Sequence, residues 1–201
     1  TVEGNKVLLN GGMGPVNQAL THLCILHGAK KVYVPVELHL SGYVRGFGAR
    51  PVGPKHSDWS RLLIDKIDVV VDGIGENNFV TSSAMLVESG HMIVTGTKDL
   101  DGRTDEFFHS LTRMMVDMRL KGSERTTIFD FAESLDNSAK YNHEAFLKDF
   151  KYLDKLVWEG TLPTINTEIT LDEYKAGRKP TSIYSGYDII SIPPEEFAGE
   201  E

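Results

Sequence analysis

Apolar and polar residues follow first a strand-like and then a helix-like order at the start of the chain. The run Lys6–Asn10 is mostly apolar and ends at glycines. The apolar residues from Val16 to Leu26 then recur at the spacing of a helix face, and Gly28 closes that stretch. The pattern therefore predicts a strand, a glycine turn and a helix.

The same order of strand and helix recurs twice along the next 70 or so residues. KKVYVPVE predicts a strand, SGYVRGFGA a helix that ends at Gly48, and RPV a brief strand. KIDVVVDGIG predicts a strand that stops at Asp72, SSAMLVESG a helix, and HMIVTGT a strand that begins at His91. Because nearly continuous apolar strands alternate with amphipathic helices, we expect an α/β fold, a doubly wound and mainly parallel sheet with helices on both faces.

The pattern is less regular after Gly96. TKDLDGRTDE predicts a polar loop, and FFHSLTRMMVDM predicts a helix or a helix that runs into a strand. MRLKGSERT predicts a strand with an exposed end, and FDFAESLDNSAKYN a surface loop with a helical turn. A late amphipathic helix, stopped by Gly160 and Pro163, is predicted from the spacing of Phe146, Phe150, Leu153, Leu156 and Val157. INTEITLDEYKAGRKP and YDIISIPP predict two short strands around a helical turn. We therefore divide the chain into a main α/β domain, residues 1–163, and a C-terminal extension, residues 164–201.

The composition narrows the class of protein. With 201 residues, 40% of them apolar and 25% charged, the chain is typical of a globular protein with one main domain. Lys and Arg number 21 against 29 Asp and Glu, and no basic block occurs, so we do not expect nucleic acid as a partner. No apolar run approaches the roughly 18–20 residues of a membrane span, and we expect a cytoplasmic protein. The single cysteine, Cys24, lies in an apolar helical stretch and is expected to be a buried, unreactive thiol.

The glycine turn between the first strand and the first helix is the first candidate site. A bound phosphate needs backbone N–H groups that point at it, a helix dipole behind it and no Cβ in the way. Gly11, Gly12 and Gly14 meet the last condition. Pro15 fits the first turn of a helix, although it removes one N–H group. The fingerprint G-x-G-x-x-G would place its third glycine where this chain has Asn17, so the turn is interpreted either as a phosphate-binding loop or as a structural turn only.

Three further stretches lie at the ends of predicted strands. Glu37 follows VYVPV, where an acid would bind a ribose hydroxyl, and a solvated carboxylate at a helix start is the alternative. Asp72-Gly73-Ile74-Gly75 and Gly96-Thr97 end two later strands. Because parallel sheets bind ligands beyond the carboxyl ends of their strands, we expect these turns to lie beside one ligand. Tight turns that simply need glycine are the alternative, and both interpretations can hold together.

The order of these motifs resembles that of a known family. VLLNGGMGPVNQALTHLCILHGAKKVYV, YVRGFGARPV and IDVVVDGIGENNFVTSSAMLVESGHMIVTGT are similar to the nucleotide-binding half of the medium-chain dehydrogenase/reductase superfamily. Within it, the zinc-free quinone oxidoreductase and enoyl or alkenal reductase branch is the most similar. The resemblance spans Gly4 to Thr97 and continues through FLKDFKYLDKLVWEGTLPTINTEITLDEY.

The resemblance implies an NAD(P)H-dependent oxidoreductase domain that binds the dinucleotide for hydride transfer to an enone, a quinone or an enoyl thioester. The residues in and beside the family's phosphate turn are Gly11, Gly12, Gly14, Pro15 and Val16. Pro15 and Asn17 stand where the family has glycines. We expect the Asn17 side chain to push into the contact between helix and strand or toward the pyrophosphate.

The family's other cofactor contacts also have counterparts in this chain. Asp72-Gly73-Ile74-Gly75 resembles a D-x-V-G turn, and this turn and Gly96-Thr97 should face the nicotinamide. Leu40 and Pro54 stand where NADPH-binding members commonly carry a lysine and a tyrosine that hold the 2′-phosphate. Glu37 would repel that phosphate. The expected cofactor is therefore NAD or NADP, with NAD slightly favoured.

The resemblance also implies what lies beyond this domain. It implies that residues 1–163 are a Rossmann nucleotide-binding domain. Family members carry a separate substrate domain ahead of this region, which we expect to be absent here, and we expect the short strands of residues 164–201 to be a remnant of the second lobe that returns toward such a domain. No residue of this chain qualifies as a catalytic base or nucleophile, and the seven histidines show no spaced ligand set, so no metal is expected. The family often pairs edge strands across a dimer, and the edge near residues 117–125 is the candidate for a homodimer.

Two alternatives to a working reductase domain remain open from the sequence. The chain can be a non-catalytic Rossmann-fold binding or dimerisation module that has lost cofactor binding, which the departures at Pro15 and Asn17 favour. It can also be a Rossmann-like methyltransferase, which shares the glycine turn and the acid after the second strand. The reversed terminal hairpin that is usual in methyltransferases is not evident in INTEITLDEYKAGRKP.

Overall fold

The structure, a computed structural model, describes residues 1–75, 79–95, 125–128, 143–162, 166–177 and 187–191 of the chain. These ranges form a six-stranded sheet and a two-stranded sheet. The strands are β1 (Lys6–Asn10), β2 (Lys31–Pro35), β3 (Arg50–Val52), β4 (Ile67–Asp72), β5 (Leu86–Val94), β6 (Thr126–Ile128), β7 (Asn166–Thr170) and β8 (Tyr187–Ser191). The helices are α1 (Pro15–Leu26), α2 (Ser41–Gly46), α3 (His56–Leu63), α4 (Val80–Ser83), α5 (His143–Trp158) and α6 (Leu171–Lys175), with a 3-10 turn at Leu38–Leu40.

The larger sheet has the strand order of a doubly wound fold. Its strands lie in the order β3-β2-β1-β4-β5-β6, and every neighbouring pair is parallel. The chain moves outward from β1 through β2 to β3 and then returns to the other side of β1, so the order reverses between β1 and β4. Asn10 at the end of β1 is level with Asp72 at the end of β4. The loops after these strands therefore start side by side, at the point where such sheets bind ligands.

The core lies on both faces of this sheet, which explains why its strands are almost continuously apolar. On one face Leu8 packs in a cluster with Trp59 of α3. On the other face Val7 packs in a cluster with Cys24 of α1 and Val44 of α2. Burying one large aliphatic or aromatic side chain of this kind contributes about 1.5–3 kcal/mol. The predicted parallel α/β class is confirmed.

The prediction for SSAMLVESG was wrong in its second half. The helix α4 ends at Ser83, and β5 begins at Leu86 rather than at His91. Leu86 pairs with Ile67 of β4, and the register then shifts before His91 pairs with Val69. A Cβ on Gly90 would lie 3.0 Å from the carbonyl oxygen of Ile67. Close backbone approach at this irregularity, and not helical periodicity, therefore explains the glycine and the neighbouring apolar residues.

The later elements largely follow the predictions. The late helix is confirmed as α5, and a 3.2 Å hydrogen bond between the Tyr152 hydroxyl and His27 Nε2 joins it to the end of α1. Its Leu156 is buried, whereas its Trp158 is 84% exposed. The two strands and the helical turn of the tail are confirmed as β7, α6 and β8. A capping box between Thr170 and Glu173 starts α6.

The remaining predictions for the second half are only partly covered by the described residues. FFHSLTRMMVDM lies outside them, as does MRLKGSERT before Arg125, so the edge near 117–125 stays a prediction, and so does the division at residue 163. The strands β7 and β8 pair in parallel, and the reversed hairpin of a methyltransferase is not found among the described strands. None of the helices in the described ranges combines the length and the apolar character needed to cross a membrane.

Candidate functional site

A cleft of about 420 Å³ opens at the carboxyl ends of β1, β2 and β4. It is lined by the turn after β1, the segments after β2 and β3, and the turn after β4. The lining residues include Gly11, Gly12, Met13, Glu37, Leu40, Pro54, Gly73 and Ile74. The cleft lies where the strand order reverses, and it brings together predicted site residues from three separate stretches of the sequence.

The turn after β1 requires glycine at two positions. Gly11 has a φ of 148° and Gly12 a φ of 66°, both of which side chains with a Cβ rarely adopt. Gly14 has an ordinary φ of −60°, and a Cβ built on it would meet no atom within 4 Å. Pro15 is the first residue of α1, where a backbone N–H would have no partner within the helix. The first two glycines thus hold backbone conformations in which a residue with a Cβ would be strained, and the third has open space around it.

Asn17 folds back over this turn. Its side-chain Nδ2 donates a 3.2 Å hydrogen bond to the carbonyl oxygen of Gly12. A Cβ on Gly11 would lie 2.5 Å from the same nitrogen. The missing third glycine of the fingerprint is therefore replaced by an amide that occupies the space above Gly11 and ties the turn to the first turn of α1.

The N-terminus of α1 has no acceptor of its own. Its cap, Gly14, has no side chain, and no acidic residue occurs in the first turn. The backbone N–H of Gln18 bonds to the Gly14 carbonyl, whereas the earlier N–H groups, of Val16 and Asn17, have no carbonyl partner within the helix. A helix of 12 residues with an uncompensated positive end favours an anion at this position.

The turn after β4 is organised by the carboxylate of Asp72, which is fully buried. Its Oδ1 accepts hydrogen bonds from the backbone N–H groups of Ile74 at 2.8 Å and Gly75 at 3.0 Å. Its Oδ2 accepts hydrogen bonds from Asn10 Nδ2 at 3.1 Å and from Ser82 Oγ at 2.5 Å. Both oxygens are therefore engaged within the protein. Asp72 can shape the wall of the cleft through this turn, but its carboxylate is not available for a ligand.

The other end of the cleft carries Glu37. Its side chain is exposed and makes no capping hydrogen bond to the 3-10 turn that follows, although the residue occupies the cap position. Leu40 and Pro54 line the cleft beside it. Lys and Arg are absent from the described residues that line the cleft, so this end presents one carboxylate among apolar groups.

The predicted site residues are distributed unequally around the cleft. Gly11, Gly12, Glu37, Gly73 and Ile74 line it. The remaining described ones are Gly14, Pro15 and Val16 at the start of α1, and Asp72 and Gly75 in the turn after β4. Gly96 and Thr97 lie outside the described residues.

Sequence reasoning missed two residues of the site, Asn10 and Ser82. Asn10 is a polar residue at the end of an apolar strand, the same signal that marked Asp72, and it could have been found in this way. Ser82 lies in a short polar helix whose pattern distinguishes no residue.

Two titratable groups of α1 have shifted pKa values. Burial raises the pKa of the Cys24 thiol to about 11, which confirms the expected unreactive thiol. Burial also lowers the pKa of His22, whose ring packs edge-on against Phe47 with centroids 4.2 Å apart. Among the described residues no group of three or more His, Cys, Asp or Glu side chains is arranged to hold a metal ion.

The comparisons with known proteins bear on the fold. No protein-family model matches the chain, and no curated protein does. The chain is similar to the quinone oxidoreductase from Coxiella burnetii, with a TM-score of 0.66, 20% identity, and coverage of 95% of this chain and 54% of that chain. It is similar to an alcohol dehydrogenase superfamily protein from Novosphingobium aromaticivorans, with a TM-score of 0.65, 19% identity, and coverage of 92% and 55%.

A third similar structure, CurA from Vibrio vulnificus, was solved in complex with NADPH. Its TM-score is 0.62 at 12% identity, with coverage of 96% of this chain and 59% of that chain. The chain thus spans little more than half the length of each of these three solved structures. At identities this low the similarity shows the fold alone. The chain has a Rossmann-like α/β fold with a parallel sheet, similar to that of the matched part of these structures, and the predicted fold class is confirmed.

Proposed function

We propose that this chain binds a nicotinamide dinucleotide in the cleft and serves as the cofactor-binding half of an NAD(P)H-dependent reductase. The observation that carries the proposal is the composition of the cleft. A glycine turn before a helix, a carboxylate after β2 and a second glycine turn after β4 meet at the point where the strand order reverses. The similarity to an NADPH complex and to quinone oxidoreductases supports it.

The first turn and the start of α1 are the proposed pyrophosphate site. The absence of a capping side chain at Gly14 leaves the positive end of α1 without an internal anion. Gly11 and Gly12 have no Cβ, so a phosphate could approach the backbone of this turn closely. Pro15 supplies no N–H, so the N–H groups of Val16 and Asn17 remain the helix donors for a phosphate oxygen. This arrangement supports pyrophosphate binding with fewer donors than a turn without proline would offer.

The Glu37 end is the proposed adenosine site, and it favours NAD over NADP. A carboxylate at the end of β2 can accept hydrogen bonds from both ribose hydroxyls. A 2′-phosphate carries about two negative charges at neutral pH, and it would lie close to Glu37 among Leu40 and Pro54. The described lining offers no Lys or Arg to compensate for that repulsion.

The turn after β4 is the proposed neighbour of the nicotinamide, together with Gly96 and Thr97, which follow β5 in the sequence. When bound, the cofactor supplies the hydride for reduction of an enone, a quinone or an enoyl thioester, and the protein contributes by holding and orienting it. The substrate side of such a cleft would come from a second lobe, since the chain spans about half of the reductases that it matches.

Titration with NADH, followed by calorimetry, tests the proposal. Gly14→Ala places a methyl group in open space at an ordinary φ, so it should leave the fold intact. If a pyrophosphate binds there, the methyl group should weaken NADH binding by about tenfold or more. Gly42→Ala, in α2, has equally open space and is the matched control, with affinity unchanged. Absence of saturable binding by the wild-type chain up to about 1 mM would overturn the proposal.

The preference for NAD has its own test. NADPH should bind the wild-type chain more weakly than NADH. Glu37→Gln removes the charge and keeps the shape of the side chain, so it should reduce the difference between the two cofactors. An unchanged ratio of the two affinities would contradict a role for Glu37 in the choice of cofactor.

A Rossmann module that has lost the cofactor is the second candidate, because Pro15 removes a donor and the Asn17 amide fills space above the turn. Asn17→Gly separates the two candidates. Tighter NADH binding would indicate a cofactor site that the amide weakens, whereas no binding by either form would favour the lost site. Such a module could act as a homodimer through the edge near residues 117–125, and sedimentation as a monomer at high concentration would exclude that arrangement.

A further inference from the structure

Three buried polar side chains form a network directly beneath the cleft. Asn10 is 5% exposed, and Asp72 and Ser82 are 0% exposed. Asn10 Nδ2 donates to both Asp72 Oδ2 and Ser82 Oγ at 3.1 Å, and Ser82 Oγ donates in turn to Asp72 Oδ2. Each member thus contacts both of the others. The network connects the end of β1, the end of β4 and the helix α4.

We infer that Ser82 is a positioning residue, which fixes the two turns of the cleft relative to each other through Asp72 and thereby sets the affinity for a dinucleotide. The inference rests on the proposed function, because it concerns the same site. Ser82 is not among the residues that line the cleft. Its effect must therefore pass through its hydrogen-bond partners and not through contact with a ligand.

The covalent order of the chain explains why this network controls the geometry of the cleft. Asn10 immediately precedes the first turn, and Asp72 immediately precedes the second. The second oxygen of Asp72 holds the N–H groups of Ile74 and Gly75, so the position of the carboxylate determines the path of the second turn. Buried hydrogen bonds that share atoms reinforce one another. Loss of the Ser82 hydroxyl should consequently loosen the second turn and its position relative to the first, while the first turn keeps its own conformation.

Ser82 also allows the cleanest experiment of the three residues. Asn10 lines the cleft, so a change there could remove a direct contact with the ligand. A change at Asp72 removes the acceptor of four hydrogen bonds at once. Ser82→Ala removes a single oxygen. The neighbouring Ser83 is exposed, and its hydroxyl donates a 3.0 Å hydrogen bond to the Val80 carbonyl in its own helix, so Ser83→Ala is a matched control.

The test compares NADH with AMP as calorimetric probes. NADH spans both turns, whereas AMP reaches only from the Glu37 end of the cleft to the first turn. Ser82→Ala should bind NADH about tenfold more weakly than the wild type and bind AMP equally well, and Ser83→Ala should match the wild type for both. A general loosening of the fold would weaken both ligands in Ser82→Ala, and that result would overturn the inference, as would unchanged NADH binding.

Hydrogen exchange supplies a readout that needs no ligand. In Ser82→Ala the amides of Ile74 and Gly75 should exchange about tenfold faster than in the wild type, and in Ser83→Ala they should not change. Equal exchange in all three proteins would overturn the inference. If the wild-type chain binds no NADH, the proposed function fails; if it binds NADH and Ser82→Ala binds it equally well, the inference alone fails.

Discussion

The two glycine turns beside the cleft are fastened in different ways. The turn after β1 is tied by a neutral amide, that of Asn17, which donates one hydrogen bond to the Gly12 carbonyl. The turn after β4 is tied by the buried carboxylate of Asp72, which accepts four hydrogen bonds. The first turn leaves open space at Gly14, whereas the Asp72 carboxylate has no free acceptor.

This difference indicates a division of roles between the turns. A buried carboxylate that accepts several hydrogen bonds fixes its surroundings, because every donor would be left without a partner if the backbone moved. A turn held by one neutral hydrogen bond leaves fewer groups without a partner when it moves, so it costs less to alter. Changes at the second turn should therefore act on stability first, and changes at the open part of the first turn should act on binding first.

The largest effect expected from this comparison is that of Asp72→Ala. The substitution leaves the donors of Asn10 and Ser82 and two backbone N–H groups without their acceptor. Since each buried donor left unpaired costs about 1–3 kcal/mol, the free energy of unfolding should fall by about 3–5 kcal/mol. Urea unfolding followed by circular dichroism measures it. Asp68→Ala, in the same strand, is the control, because half-buried Asp68 accepts one backbone hydrogen bond, from Lys6, and should lose only about 1 kcal/mol. Similar losses at both positions would contradict a special role for the second turn.

The next effect in size is that of Gly11→Ala in the first turn. Alanine is strained at a φ of 148°, and its Cβ would lie 2.5 Å from Asn17 Nδ2. We expect a loss of about 2 kcal/mol in the free energy of unfolding, since both terms act together. In an Asn17→Ala background the steric part should disappear and the cost should fall to about 1 kcal/mol.

The double-mutant cycle between Gly11 and Asn17 compares the free energies of unfolding of the wild type, Gly11→Ala, Asn17→Ala and the double variant, each measured by urea unfolding. Gly14→Ala is the control in the same turn and should cost nothing or stabilise slightly, because its φ is ordinary and its surroundings are open. A cost of Gly11→Ala that does not depend on residue 17 would show that Asn17 does not fasten the turn as its hydrogen bond indicates.

The sequence predicted the strands and the helix that flank these turns better than it predicted the hydrogen bonds that hold the turns in place. Apolar runs bounded by Gly28 and Asp72 placed β1, α1 and β4 correctly, because a strand buried on both faces has a distinctive composition. Leu86 to Gly90 was assigned to a helix, since five residues with two apolar members satisfy either period. Only the pairing of Leu86 with Ile67 decides between them.

The hydrogen bonds that hold the turns in place are contacts that the periodicity of the sequence does not encode. The fingerprint indicated that Asn17 was out of place, but the return of its amide to the Gly12 carbonyl depends on a rotamer. Ser82 carries no signal at all, because it contributes through partners 10 and 72 residues away in the chain. Contacts of this kind depend on β1 and β4 being neighbours in the sheet, which the periodicity of the sequence does not show. The cofactor-binding roles of the predicted residues, Glu37 among them, stay predictions.

The smallest effect concerns pH and the helix behind the first turn. His22 packs α1 against Phe47, just beyond α2, and burial lowers its pKa from the ordinary value of 6.5. Just below about pH 6.5, His22 therefore binds a proton in the unfolded chain but stays neutral in the folded chain. The stability that neutral His22 contributes is present above that pH and is lost as the pH falls.

His22→Phe keeps an aromatic ring against Phe47 and removes the titrating group. The decrease in the free energy of unfolding between pH 7.5 and pH 5.5 should consequently be smaller in His22→Phe than in the wild type. If His22→Phe and the wild type lose stability in parallel, acid does not act through α1, and the first turn is no more sensitive to pH than the second.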